Sequence, residues 1–199
     1  MFETTACILL ASGLSTRFEG GDKLQADIQG KPVLERAAEC VSDMTFAKKL
    51  TVIGEDQSWR REAAARLGFE TVSNDAPDRG QGYALARGGT AAVNAKGVTS
   101  VLVLLADMPF VTTEHIYKLK AAFDAGADVA ISVCRGVSSP PALFSEACFG
   151  ALQTLSGDQG AKQVINAFAS RVLVEATGSE LADIDTRDDL KDMEANLIG

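Results

Sequence analysis

The stretch Ala6-Cys7-Ile8-Leu9-Leu10-Ala11-Ser12-Gly13-Leu14-Ser15-Thr16-Arg17-Phe18-Glu19-Gly20-Gly21-Asp22-Lys23 decides how this chain is read. Its first six residues are apolar without a break, which suits a strand covered on both faces. Ser12-Gly13-Leu14-Ser15 then offers backbone N–H groups with no side-chain bulk at Gly13, and such groups wrap an anion. Arg17 adds a planar fork for phosphate oxygens, and Lys23 adds a compact point charge. Together they predict a triphosphate cradle at the end of the first strand, built from Leu10, Ala11, Ser12, Gly13, Leu14, Arg17 and Lys23. Taken alone, the loop reads equally as a strand-to-helix turn with surface cations.

Outward from this loop, apolar runs alternate with segments of helical period. Strands are expected at residues 5–11, 50–53, 71–73, 100–106, 129–134 and 171–175, and helices at 33–41, 58–67, 83–94, 113–125, 162–169 and 188–196. The alternation predicts an α/β fold of three layers, a mostly parallel sheet with helices on both faces and ligands beyond the carboxyl ends of the strands. Thr186 with Asp189 forms a capping-box-like start to the last helix, Thr112 or Thr113 caps the helix after Pro109, and Asp158 caps the one through Lys162.

With 199 residues the chain is expected to form one domain over 1–199. A net charge of −8 argues against general nucleic-acid binding, whereas a local cationic cradle still admits a nucleotide. Of the four cysteines, Cys7, Cys40 and Cys148 are expected as buried thiols and Cys134 at a strand end near a site; none forms a Cys-x-x-Cys pair. Met1-Phe2-Glu3 carries no basic region, and the longest apolar run, 101–106, is too short to span a bilayer. The expectation is a cytoplasmic protein with no membrane partner. His115, the one histidine, falls in an expected helix and is assigned to the surface, which excludes a Ser-His-Asp triad and a multi-histidine metal site.

Val101-Leu-Val-Leu-Leu-Ala-Asp107-Met-Pro109 places a carboxylate directly after a buried strand. An unpaired charge there is costly, and a magnesium ion, which takes few protein carboxylates, removes that cost. A turn or helix-cap role is the competing account of Asp107. In Ala182-Asp183-Ile184-Asp185-Thr186 the two acids alternate and share a direction if the segment is extended. Asp185, just before the capped helix, is the second metal candidate and Asp183 the reserve, with solvated acids as the alternative.

These segments resemble the nucleotidyltransferases that activate small phosphorylated molecules with an NTP, a family with the sheet of nucleotide-diphospho-sugar transferases. The family loop is Leu-Ala-Ala/Gly-Gly, a Ser or Gly two residues on, then Arg-Met, then Lys. Leu10-Ala11-Ser12-Gly13-Leu14-Ser15-Thr16-Arg17-Phe18 and Lys23 fit, with departures at Ser12 and Phe18 and a gap from Arg17 to Lys23 that is one residue longer. Asp107 falls in the Leu-Ala-Asp-x-Pro motif, whose acid binds metal, and 183–189 resembles Asp-Ile/Val-Asp-Thr-Pro-Glu-Asp. Leu155-Ser-Gly-Asp-Gln-Gly-Ala161 matches the Leu-Ser-Gly-Asp-x-Gly-Ala of the molybdenum-cofactor cytidylyltransferases and their MobA-like relatives, although Ser139-Pro140 replaces their Gly-His.

The resemblance implies an enzyme in which Arg17, Lys23 and Asp107 are catalytic and Asp107 and Asp185 hold Mg2+. It implies base contacts at Gly80, Gln81 and Gly82, and an acceptor bound by Ser139, Pro141, Gly157, Asp158 and Gly160. The substrates it implies are an NTP, CTP before GTP, and a small phosphorylated acceptor, molybdenum-bearing molybdopterin, with a molybdenum enzyme receiving the product. A guanylyl-transferring relative is the near alternative. The departures also leave open a nucleotide-binding carrier without turnover.

Overall fold

The computed structural model describes residues 1–158 and 160–198, with the backbone alone at 194 and 196–198. Strand β1 (Phe2–Leu10) shows why its apolar run is unbroken. Ala6, Ile8 and Leu10 enter one core, while Cys7, Leu9 and the following Ala11 enter another on the opposite face. The chain continues through a short hairpin, β2 (Asp27–Ile28) and β3 (Lys31–Pro32), to α1 (Val33–Glu39), β4 (Phe46–Gly54), α2 (Ser58–Arg66), β5 (Glu70–Asn74) and α3 (Gly80–Val93). Then come β6 (Ser100–Leu105), α4 (Thr113–Asp124), β7 (Val129–Cys134), β8 (Val137–Ser145), α5 (Phe149–Gln153), α6 (Lys162–Ala167), β9 (Arg171–Glu175) and α7 (Arg187–Ile198).

Seven strands form one sheet in the order β5-β4-β1-β6-β8-β7-β9. β8 runs antiparallel to both its neighbours and the other pairings are parallel. One core packs α1, α2 and α4 on the sheet through Leu34, Ala63, Ala64, Ile116 and Leu119. The other packs α3, α5 and α6 through Leu85, Leu152, Val164 and Ile165. Gly88 brings α3 close: a Cβ there would lie 2.8 Å from Val52 Cγ2. The three layers and the mostly parallel sheet are therefore as the alternation predicts.

The differences from expectation have physical causes. β8 was not foreseen as a strand because Pro140 and Pro141 lie inside it, and proline removes a ladder donor. The β7–β8 ladder accommodates them with a register shift between Ile131 and Ser132. α3 begins at Gly80 rather than at residue 83, and α5 was not anticipated. His115 is not on the surface: it is 1% exposed. Its Nε2 lies 2.7 Å from Ser132 Oγ, whose own proton goes to the Pro141 carbonyl at 2.8 Å. The ring therefore donates through Nε2, and Nδ1 is buried without a partner. Burial holds its pKa below the ordinary value.

Thr112 caps α4 by accepting from His115 N at 3.1 Å. Thr186 and Asp189 cap α7 reciprocally, Asp189 N donating to Thr186 Oγ1 at 3.2 Å and Thr186 N to Asp189 Oδ2 at 2.7 Å. Asp158 does not cap α6, whose N-cap position is Ala161. Cys7, Cys40 and Cys148 are buried, as expected. Among the described residues no helix is long and apolar enough to cross a membrane.

Candidate active site

β1 and β6 are parallel neighbours with Leu10 opposite Leu105, so the loop after β1 and Asp107 after β6 leave the sheet side by side. Ala106 N donates to Leu10 O at 3.0 Å and carries the ladder one step further. Ile184, fully buried, donates its N–H to Asp107 O at 2.9 Å. That bond fixes the 183–185 segment against the end of β6 and brings two acids distant in sequence to one place.

Lys23 joins them. It opens a 3-10 turn (Lys23–Gln25) capped by Asp22, whose Oδ1 accepts from Leu24 N at 3.0 Å. The buried ammonium donates to Asp107 Oδ2 at 2.7 Å and to Asp185 Oδ1 at 2.9 Å. Arg17, with a side chain 76% exposed, reaches Asp185 Oδ2 at 2.6 Å. The four charged residues singled out in the sequence thus form one chain, Arg17–Asp185–Lys23–Asp107, with two cations balancing two carboxylates. Burial alone would lower the Lys23 pKa, but Asp107 and then Asp185 outweigh it and hold it above the ordinary lysine value. Asp183 lies outside this chain of ion pairs and lines a separate cavity; burial, then the nearby Asp107 charge, raises its pKa.

Two adjoining cavities lie over this chain. One of about 190 Å³ is bounded by Ala11, Leu14, Arg17, Lys23, Asp107 and Asp185. The other, about 380 Å³, shares Leu10, Gly13, Leu14, Arg17 and Asp107 and extends past Ser12 to Gly80, Gln81 and Asp158. Gly82 stands behind this wall. Its N–H donates to Gly157 O at 2.7 Å, and a Cβ on it would come within 2.7 Å of the Gly157 and Ser156 carbonyl oxygens. Only glycine admits that approach. Gly160, at a φ of +51°, packs on the Gln81 side chain.

The expected acceptor residues do not form one constellation. Gly157, Asp158 and Gly160 stand against Gly80, Gln81 and Gly82, on the side expected for the base. Ser139 lines a separate cavity of about 300 Å³ with Cys134, Leu181 and Asp183. Pro141 is buried within β8 and lines neither cavity wall.

Two site residues carry no mark in the sequence motifs. Asn74, wholly buried at the end of β5, donates from Nδ2 to Ser12 Oγ at 2.9 Å and accepts at Oδ1 from Ala76 N at 3.2 Å. Arg60 is 2% exposed and holds the β1 loop from beneath. Its signal was available: it shares a helix face with Ala63 and Ala64, where a cation stays only if it is paired.

The residues present fit a divalent cation. Asp107 Oδ1 is buried and has no hydrogen-bond partner, an oxygen a cation would satisfy. Among the described residues no group of three or more acidic, histidine or cysteine side chains is placed to hold a metal ion. Two carboxylates with water and phosphate oxygens suit magnesium or manganese rather than an all-protein cage.

The MobA-like NTP transferase domain matches residues 7–172. The chain belongs to that family. The match includes the β1 loop and Asp107 but stops short of Asp185, which the Ile184–Asp107 hydrogen bond brings to the site. Among curated proteins it is 35% identical over 118 residues to the purine catabolism protein PucB of Bacillus subtilis (strain 168), covering 58% of this chain and 56% of that one. A probable molybdenum cofactor guanylyltransferase of Haloferax mediterranei is 28% identical over 128 residues, 64% of this chain and 59% of that one. The chain thus spans little more than half the length of these relatives.

A crystal structure of the Rv0371c homologue from Mycobacterium sp. strain JC1 superposes with a TM-score of 0.82 at 19% identity, covering 100% of this chain and 98% of that one. Rv0371c of Mycobacterium tuberculosis H37Rv, solved in complex with manganese, superposes at 0.76 with 22% identity, covering 96% and 98%. These likenesses show the shared fold.

Proposed function

We propose that this MobA-like chain is a divalent-metal-dependent nucleotidyltransferase that joins an NMP unit to a small phosphorylated acceptor. The observation that supports it most is the meeting of Arg17, Lys23, Asp107 and Asp185 beside an open glycine loop at the carboxyl ends of β1 and β6. An anionic acceptor oxygen forms the new bond to the α-phosphorus, the bond from that phosphorus to the β-phosphate bridging oxygen breaks, and pyrophosphate leaves with the electron pair. Such transfer needs alignment and charge neutralisation rather than a covalent nucleophile. Asp107 and Asp185 are the groups that would hold magnesium, which supplies Lewis-acid polarisation of the phosphate oxygens.

Lys23 and Arg17 turn from their carboxylates to the triphosphate, and the loop N–H groups orient it. The base lies in the larger cavity between Ser12 and the Gly80–Gln81 turn, with Asp158 at its edge. The acceptor occupies the cavity of Ser139 and Asp183, beyond Asp107.

CTP as the nucleotide and molybdenum-bearing molybdopterin as the acceptor rest on the Leu155–Ala161 motif. GTP is the second reading, favoured by the guanylyltransferase of Haloferax. The purified protein is tested for binding of CTP, GTP, ATP and UTP with magnesium, and for pyrophosphate release with a molybdopterin acceptor. Asp107→Asn should lower turnover about 10²-fold or more at an unchanged fold, because a metal clamp contributes several kcal/mol to the transition state. Full activity in that variant, or no nucleotide binding by the wild type, would remove the proposal.

A further inference from the structure

Arg60 is remote from the reacting groups, yet its side chain makes five contacts with one loop. Nε donates to Asp22 Oδ2 at 2.7 Å and Nη2 to Asp22 Oδ1 at 2.6 Å, a two-pronged pair. Nη1 donates to the carbonyl oxygens of Ala11 at 2.5 Å and Gly13 at 2.8 Å. Nη2 also reaches Ser15 Oγ at 3.3 Å. Gln57, at the N-cap position of α2, donates a second hydrogen bond to Gly13 O at 3.3 Å.

The consequence follows from peptide planarity. In a trans peptide the carbonyl of one residue and the N–H of the next point to opposite sides. Drawing the Ala11 and Gly13 carbonyls down to Arg60 turns the N–H groups of Ser12 and Leu14 the other way. Among the described residues neither N–H has a backbone acceptor, and both residues line the cavities above. Asp22 carries the effect onward. It precedes Lys23 and caps the turn that starts there, and Ser15 Oγ both donates to Asp22 Oδ1 and accepts from Lys23 N, each at 3.3 Å. One guanidinium therefore fixes both ends of the loop: the N–H groups after β1 and the residue that presents the Lys23 ammonium.

We propose that Arg60, paired with Asp22, is the positioning residue of the nucleotide site: it sets the β1 loop as an anion cradle without touching the anion. A lysine does not reproduce it, since its three donors radiate from one nitrogen, whereas the guanidinium spreads the two Asp22 bonds and the two carbonyl bonds over three. The proposal rests on the nucleotide reading of the site for its ligand, and two readouts keep them apart. Hydrogen exchange of the Phe18, Lys23 and Leu24 amides, which donate to Ser15 O, Ser15 Oγ and Asp22 Oδ1, in Arg60→Lys without nucleotide reports the loop itself. Affinity for CTP and GTP with magnesium reports the cradle.

Arg60→Lys is expected to speed exchange at Phe18, Lys23 and Leu24 and to weaken nucleotide binding by about tenfold or more, as misplaced binding groups do. KM should rise more than kcat falls. Asp22→Asn, which keeps the capping oxygen and the Arg60–carbonyl bonds, should show the same effects at smaller size and serves if the Arg60 variant does not fold. If both variants melt early but bind nucleotide like the wild type, or if exchange at Phe18, Lys23 and Leu24 is unchanged, Arg60 is a buried structural pair and the proposal falls. Faster exchange in a protein whose wild type binds no nucleotide would retain the loop-setting role and overturn the nucleotide reading instead.

Discussion

Replacing Lys23 by methionine removes the ammonium while keeping the apolar stem, and the structure predicts opposite effects on metal and nucleotide. In the wild type the ammonium sits between Asp107 Oδ2 at 2.7 Å and Asp185 Oδ1 at 2.9 Å. Breaking a fully buried pair costs about 3–5 kcal/mol, because the partner charge is left uncompensated. The carboxylates here are 23% and 31% exposed, and Arg17 still holds Asp185. The loss should therefore be smaller, about 2 kcal/mol once solvent screening is allowed for. At about 2–4 °C per kcal/mol for a chain of this size, the melting temperature should fall by about 4–8 °C.

A divalent cation should reverse much of that fall. An ammonium within about 4 Å of a divalent ion repels it by about 2 kcal/mol even at the dielectric of water. Removing it also frees two carboxylate oxygens beside the unpartnered Asp107 Oδ1. Mn2+ affinity without nucleotide should rise about tenfold or more, equivalent to about 1.4 kcal/mol. NTP affinity should drop, since one of the two cations facing the triphosphate is gone. Calorimetric titration with Mn2+ and with CTP, alongside melting with and without Mn2+, measures all of these. Equal Mn2+ affinity in the two proteins, or a loss of metal and nucleotide together, would refute the reasoning.

Two further perturbations probe the walls of the site and the frame behind it. Gly82→Ala pushes a Cβ to 2.7 Å from the Gly157 and Ser156 carbonyl oxygens, so it should destabilise by about 1–3 kcal/mol and raise the nucleotide KM; melting and steady-state kinetics check this. His115 has a folded pKa lowered by burial, so below its unfolded value of about 6.5 the unfolded chain takes up a proton that the folded one resists. Stability from this residue is present above that pH and is lost as pH falls. His115→Gln, which keeps a donor for Ser132, should therefore lose less melting temperature between pH 7 and pH 5 than the wild type does.

What the sequence revealed divides along a physical line. β1 and β6 were legible because strands buried on both faces leave unbroken apolar runs, and the loop and Asp107 were legible because they follow such runs directly. β8 was hidden by its two prolines, which the ladder tolerates by leaving both unpaired between Ser139 and Ala142, opposite the consecutive Ser132 and Ile131 of β7. The contact of Asp185 with Lys23 depends on Ile184 pairing with Asp107 O, a register that no local pattern announces. The split of the acceptor set has the same origin: Gly157 is carried to Gly82 by the packing of α3 against α5 and the loop after it, far from the strand that holds Ser139. Arg60 and Asn74 were overlooked because they act on the backbone and side chain of the loop rather than on a ligand.

The closed ion-pair chain bears on how such a site fills. With two cations and two carboxylates paired in charge, a metal ion arriving alone meets Lys23 and Arg17, and a triphosphate arriving alone meets Asp107 and Asp185. Each visitor gains one set of partners and suffers the other. When both arrive, the internal pairs exchange for external ones: cations to phosphate, carboxylates to metal. The favourable term in each exchange requires the other ligand to be present, so the two should bind with positive coupling, and linkage makes that coupling the same whichever is added first. Lys23→Met removes the element that carries most of this exchange. In that variant the ratio of Mn2+ affinities with and without CTP should shrink toward the part that direct metal–phosphate contact supplies, so the change in that ratio from the wild type measures what the buried lysine contributes.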